Sequence, residues 1–280
     1  MNSTISIRLL ETNEDMRLIQ ILEGEVWGMD PIPTHQTFTA SKNGGILIGA
    51  FAGGKLIGFS YGFPGFLKGK SYLCSHMLGI HPDYQQMGIG KLLKDKQRTR
   101  AQEMGYDLIT WTFDPLESRN AYLNVSKLYA ICNTYLENCY GEMTDGLNKG
   151  LPTDRLQIEW WILSDRVESK WMPKDVTYHL PCELGKSAKG HPIVSVDYSA
   201  ILENSVGYEI PVPTYFQLIK KNEPELALQW RMKVREVFQA LFAMEYAVIG
   251  LRKSDEDVQY YQFVKRSSIP LNRRDKGESQ

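Results

Sequence analysis

The chain has 280 residues, enough for one large domain or two ordinary ones, and with 42% hydrophobic and 23% charged residues it can bury a substantial core. Lys+Arg at 32 against Asp+Glu at 33 leaves a formal net charge of -1, so no broad basic field draws nucleic acid or an anionic membrane. Apolar runs such as Ile46 to Ala52 fall far short of the roughly 20 residues a membrane helix needs. Met1-Asn2-Ser3-Thr4 lacks the charged-then-apolar pattern of a leader. Cys74, Cys132, Cys139 and Cys182 form no C-x-x-C pair and no metal-ligand spacing, so no metal is expected and a reducing cytoplasm is the simplest setting.

In chain order, Ile5 to Leu10 alternates like a strand. Thr12 and Asp15 form a capping box for a helix carrying Met16, Ile19, Leu22 and Val26 and ending near Gly28. Pro31 and Pro33 force a loop before a short helix around His35 to Lys42. Ile46 to Ala52 and Leu56 to Phe63, joined by Gly53-Gly54, predict a hairpin, and Pro64-Gly65 and Lys68-Gly69-Lys70 are expected to break the pattern. Ser71 to Ile80 is a fourth strand, followed by a loop at His81 to Tyr84 and a helix from near Gly88 to about Met104. Leu108 to Phe113 is a fifth strand, then a helix over Ser118 to Leu128, a loop over Gly141 to Pro152 and a strand over Leu156 to Leu163. Trp171 to Asp197 shifts towards Pro, Gly, Lys and Ser and is the expected boundary region. Beyond it lie an extended Tyr208 to Val212 and a helix opening at Asn222 and Pro224, with Leu226, Trp230, Val234, Val237, Phe238, Leu241 and Phe242 on one face. Strands over Ala247 to Leu251 and Gln259 to Lys265 close the chain. The order fits an α/β (α+β) fold with a mixed sheet and helices on both faces.

The most informative stretch is Met77 to Leu93. A strand runs into a glycine-containing turn that opens a helix, so backbone N–H groups converge at the positive end of the helix dipole and suit an anion. Lys91 is followed by Leu92, which leaves no hydroxyl for a nucleotide's magnesium, and Leu93 stands where a dinucleotide fingerprint needs its third glycine. What fits is Gln85-x-x-Gly88-x-Gly90, a Q/R-x-x-G-x-G/A pattern.

With this motif in this strand-turn-helix context, and with the element order from Ile5 to Leu163, the chain resembles the GCN5-related N-acetyltransferases (GNAT). Their sheet is mixed and mostly antiparallel. The whole chain is also similar to a poorly characterised bacterial group of that superfamily with a C-terminal extension, some of which are thought to acylate amino acids. The resemblance implies acetyl-CoA or another acyl-CoA as co-substrate. It gives Leu78, Gly79 and Ile80 backbone bonds to the pantetheine arm, wraps Gln86, Met87, Gly88, Ile89, Gly90 and Lys91 around the pyrophosphate, and matches Asn120 to an Asn that contacts the cofactor. Lys127 is a further candidate for a cofactor phosphate.

Acyl transfer to an amine needs a neutral amine, a place for the oxyanion and a proton for the thiolate. His suits the first, since its ordinary pKa of about 6.5 lies near neutrality. His76 precedes Leu78 by two residues on the predicted strand, so their side chains are expected to share a face. His76 to Gly90 is similar to arylalkylamine acetyltransferases, which place a His at this distance as a base or water relay. Cys74 stands where many relatives carry a strand glutamate, and Val125 where their tyrosine acid is expected. Tyr122, one turn earlier, or Tyr129, one turn later, can substitute. A backbone N–H near Leu78 would serve as the oxyanion donor.

Asp114, Arg119 and Arg155 lie at strand ends or in loops, and Arg119 or Arg155 can hold an acceptor carboxylate or a dicarboxylic acyl group. Of Trp160 and Trp161, one is expected in the core and the other at a pocket or interface. Arg231 and Arg235 share a face expected to be solvated. The reading is an N-acyltransferase acting on a small-molecule amine, an amino acid among the candidates, with no nucleic acid or membrane partner. The alternative is an idle acyl-CoA binder. Residues 1–170 form the acyl-CoA domain, and residues 171–280 form a small α+β extension or a degenerate duplication, which covers the acceptor site or makes a homodimer.

Overall fold

The computed structural model describes residues 4–28, 30–67, 69–143, 148–201 and 205–272. Met1 to Ser3, Lys68 and residues 144–147 of the expected Gly141 to Pro152 loop lie outside the described residues. The chain divides into two compact units, Met1–Trp111 and Thr112–Gln280. Residue 170 falls within the second.

The first unit runs β1 (Ile5–Leu9), α1 (Asn13–Trp27), α2 (Thr34–Lys42), β2 (Ile46–Ala52), β3 (Lys55–Leu67), β4 (Lys70–Ile80), a 3-10 turn at Pro82–Tyr84, α3 (Ile89–Glu103) and β5 (Leu108–Phe113). β1 to β4 pair antiparallel in order and β4 meets β5 in parallel, giving a mixed, mostly antiparallel sheet. Thr12 and Asp15 cap α1 reciprocally, and Gly28 ends it in the left-handed conformation, as expected. Phe59 and Tyr61 of β3 join Met16, Ile19 and Leu22 of α1 in one core cluster. The alternate residues Gly58 and Ser60 face α3: a Cβ on Gly58 would lie 3.2 Å from Ile89, and Gln97 donates to the Ser60 hydroxyl at 3.0 Å. Side-chain alternation thus sets α1 and α3 on opposite faces of the sheet.

The strand break expected at Pro64-Gly65 does not occur. β3 continues to Leu67, with Gly65 paired to Tyr72, and the missing side chain leaves room for the Tyr72 ring.

The second unit holds a short α4 (Ser118–Ala121) that passes directly into a π-helical turn at Tyr122–Lys127, so the helix expected over Ser118 to Leu128 changes its winding after one turn. β6 (Ile131–Leu136), β7 (Arg155–Trp161), α5 (Asp165–Glu168), β8 (Tyr178–His179), β9 (Cys182–Lys186), β10 (Pro192–Val196), β11 (Gly207–Pro213), α6 (Phe216–Asn222), α7 (Pro224–Ala243), β12 (Tyr246–Arg252) and β13 (Val258–Lys265) follow. The strands order β7-β6-β12-β13-β11-β8, with β9 and β10 a separate pair. The expected boundary region therefore carries three strands. The order α6-α7-β12-β13 repeats the order α1-α2-β2-β3 of the first unit.

Helix α7 buries Trp230, Val234, Phe238 and Leu241 as predicted, and Phe238 packs edge-on to Tyr261 and Phe263. Its arginines are not solvated. Arg231, 2% exposed, grips both carboxylate oxygens of Asp114 at 2.8 and 2.5 Å, and Arg235 does the same to buried Asp154. The pattern of a helix face does not reveal acids brought to it from 117 and 81 residues away. Trp160 is core, and Trp161 is half-buried with its indole N–H on Glu159.

Candidate functional site

The site grows from the end of β4. Its pairing with β5 is confined to Leu73↔Ile109 and Cys74↔Thr110, so Leu78, Gly79 and Ile80 have β3 on one side and no β5 partner on the other. That edge presents backbone groups of the kind an extended arm can bond. Gly79 is buried, and a Cβ there would meet Phe59 and Trp27 at 2.7 and 2.9 Å.

Beyond Ile80 the chain turns tightly. Tyr84 N–H donates to His81 O at 2.9 Å and Gln85 N–H to Pro82 O at 3.3 Å. Gln86 and Gly88 then take positive φ of 69° and 77°, winding the peptide into a concavity before α3 starts at Ile89. No side chain caps α3, and Lys91 and Leu92 N–H both turn back to Gly88 O. The amides of Ile89 and Gly90 precede any intrahelical acceptor and so sit at the positive end of a 15-residue helix. This cradle fits a pyrophosphate. Met87 is exposed, and Lys91 is exposed and held by Asp95 at 2.6 Å.

His76 stands elsewhere than expected. β4 carries one residue more than β3 between Tyr61↔Met77 and Phe63↔Cys74, a bulge at Ser75 and His76. The bulge breaks alternation, so the imidazole packs against Tyr61 and Phe63, with ring centres 6.1 and 5.7 Å away, on the α1 face. Leu78 pairs with Ser60 on the α3 face. The two side chains do not share a face. His76 is exposed, and the partial desolvation by the Tyr61 and Phe63 rings lowers its pKa. Burial raises the Cys74 thiol, keeping it protonated.

Behind the bulge lies a polar cluster not anticipated from the sequence. Ser75 donates to Gln97 Oε1 at 2.8 Å, Lys94 donates to Ser75 Oγ at 2.8 Å, and the ammonium lies 3.6 Å from the centre of the Trp111 ring. Burial pulls the Lys94 pKa down to about 7. A Lys at Leu93+1 on the buried face of α3 was the available signal. On α1, Glu23 is likewise buried, one turn after Ile19 on the apolar stripe.

The remaining candidates belong to the second unit. Arg119 and Tyr122 line one cavity of about 510 Å³ with Glu117, Gln217 and Lys253, whose ammonium sits 4.2 Å from the centre of the Tyr122 ring. Asn120 is exposed on α4, Lys127 is exposed, and Val125 is buried. Tyr129 is half-buried, with φ 58°. Arg155 is apart from that cavity: it is buried, bonded to Asn148 at 2.7 Å and 3.8 Å from Asp114. Among the described residues no cluster of three metal-ligating side chains occurs, and no helix is long and apolar enough to cross a membrane.

No curated protein matches the chain. Solved structures similar to it include the ribosomal-protein-S18-alanine N-acetyltransferase from Escherichia coli, at 16% identity over 63% of this chain and 100% of that one, TM-score 0.46. A GNAT-family acetyltransferase from Streptococcus pneumoniae matches at 17% over 56% and 98%, TM-score 0.45. Arabidopsis thaliana NAA60, solved with a bisubstrate analogue, matches at 15% over 56% and 98%, TM-score 0.45. Residues 12–123 match the model of the Acetyltransferase (GNAT) family, a span that contains the β4 edge, the cradle and α3. The chain carries a GNAT-family acetyltransferase domain at residues 12–123.

Proposed function

We propose that the protein is a cytoplasmic acyl-CoA-dependent N-acyltransferase that acylates the primary amine of a small molecule, an amino acid among the candidates. The uncapped cradle at Gln86 to Lys91, beside the open β4 edge in a GNAT domain, carries the reading. Acetyl-CoA, or succinyl-CoA in the same place, supplies the thioester. In this reading Gly88, Ile89 and Gly90 amides hold the pyrophosphate, and Leu78 to Ile80 hold the pantetheine arm, with an N–H near Leu78 aimed at the carbonyl oxygen.

His76, which the bulge turns to the α1 face beside Tyr61 and Phe63, is the proposed proton acceptor. Arg119, the exposed one of the two arginines, suits an acceptor carboxylate better than Arg155, which already neutralises its own surroundings. Asn120 as a cofactor contact and Tyr122 or Tyr129 as the acid are read out by single substitutions in the same assay. Residues 1–170 are the proposed catalytic domain, with 171–280 an extension that includes a candidate homodimer surface.

The test is thiol release from acetyl-CoA and succinyl-CoA with a panel of primary amines. Release that depends on the amine supports the reading. CoA binding with no release for any amine identifies an idle binder instead.

A further inference from the structure

The hairpin of β3 and β4 runs past the strand that flanks it. β2 follows β3 only as far as Ile46↔Gly62, so from Phe63 to Leu67 β4 is the one strand paired with β3 among the described residues. The far end carries Phe66 and Leu67, 73% and 61% exposed. Consecutive strand residues point to opposite faces. Both faces of the tip are therefore apolar, which suits a tip that enters a groove rather than a face that lies flat on a surface. Lys70, also exposed, stands across the turn, paired to Leu67.

In the second unit a groove of about 610 Å³ is lined by Asp255, Glu256 and Asp257, the turn that joins β12 to β13. Leu180 and Leu184, 46% and 38% exposed, line it together with Tyr260 and give it an apolar wall. Of the three acids, Asp257 lies 3.3 Å from Lys186 and Glu256 accepts the Tyr260 hydroxyl at 3.0 Å, while Asp255 has no partner among the described residues. One lysine against three carboxylates leaves the rim negative. Neighbouring leucines this exposed gain by being covered, and what covers them here is best both apolar and basic.

We propose that the Phe66-Leu67 tip of one copy of the chain seats in the groove of a second copy, against Leu180 and Leu184, with Lys70 towards the Asp255-Glu256-Asp257 turn. The match is double, apolar on apolar and a base on an acidic rim. Tip and groove are different surfaces, so a closed two-fold pair makes the contact twice, each copy giving one of each, and copies that do not close form a longer series. The contact gives the candidate homodimer surface of residues 171–280 its partner. It stands apart from the acyl-transfer reading, because mass rather than turnover reads it.

The experiment is sedimentation velocity on the full chain from about 1 to about 100 μM. Wild type associates, and less so as salt is raised. Phe66→Ser combined with Leu67→Ser is monomeric over this range, and so is Leu184→Glu in the groove. These side chains are exposed, so the melting temperatures stay at the wild-type value. Mixing the tip variant with the groove variant recovers a pair, through the one intact tip and the one intact groove. Asp255→Lys and Lys70→Glu each weaken association about tenfold, and the two together in one chain restore it. A wild type that stays monomeric overturns the contact, and so does association that survives the tip variant. Association lost in the tip variant but unchanged in both Leu184→Glu and Asp255→Lys overturns the groove as its seat.

Discussion

Lys94 offers a direct physical test of the first unit. Its ammonium is buried against Ser75, Gln97 and the Trp111 ring, and desolvation draws its pKa from 10.5 to about 7. The unfolded chain therefore binds the proton more tightly than the folded one, and stability rises with pH between about 7 and 10.5. With those two values the penalty on the folded state is about 4 kcal/mol at pH 7 and falls by about 2 kcal/mol by pH 8.5. Lys94→Met removes the titration and keeps the length of the side chain. Urea unfolding at pH 7.0 and 8.5, followed by tryptophan fluorescence, measures both proteins, and the difference between them isolates Lys94 together with the Cys74 thiol to which its charge is coupled. Wild type is expected to gain about 2 kcal/mol relative to the variant. A gap between the two proteins that is constant with pH would mean that Lys94 stays charged in the fold, and would refute the account of the cluster.

Gly88→Val places a branched side chain at φ 77°, distorting the cradle, and is expected to weaken CoA binding about tenfold in calorimetry with little loss of melting temperature. His76→Ala should leave CoA affinity within twofold of wild type and lower turnover by about 100-fold; unchanged turnover would eliminate it as the base. Because desolvation lowers the His76 pKa, the acidic limb of kcat/KM should lie below the ordinary His value. Arg231→Met leaves Asp114 without its bidentate partner and is expected to destabilise the second unit by about 3 kcal/mol in urea unfolding.

The cradle was legible in the sequence because it is local: Gly88 and Gly90 sit within one turn of the residues they serve, and the strand before and helix after are strongly patterned. The capping box at Thr12 and the hairpin at Gly53-Gly54 were readable for the same reason. The face of His76 was not, because a single extra residue in β4 reverses alternation and nothing in Ser75-His76-Met77 announces it. Lys94 and Glu23 look like surface charges until the sheet closes over them. Arg231 and Arg235 are paired by acids whose distance in sequence hides them. Short strands such as Tyr178–His179 are set by their neighbours rather than by their own composition.

The proposed reaction moves an acyl group from CoA to an amine. Incubating the full chain with acetyl-CoA and each amine of the panel, and comparing thiol released with amide formed by mass spectrometry, measures it. Equal amounts of both are expected for at least one amine, formed about 100-fold more slowly by His76→Ala. Thiol released without amide, or neither product from a chain that binds CoA, would contradict it.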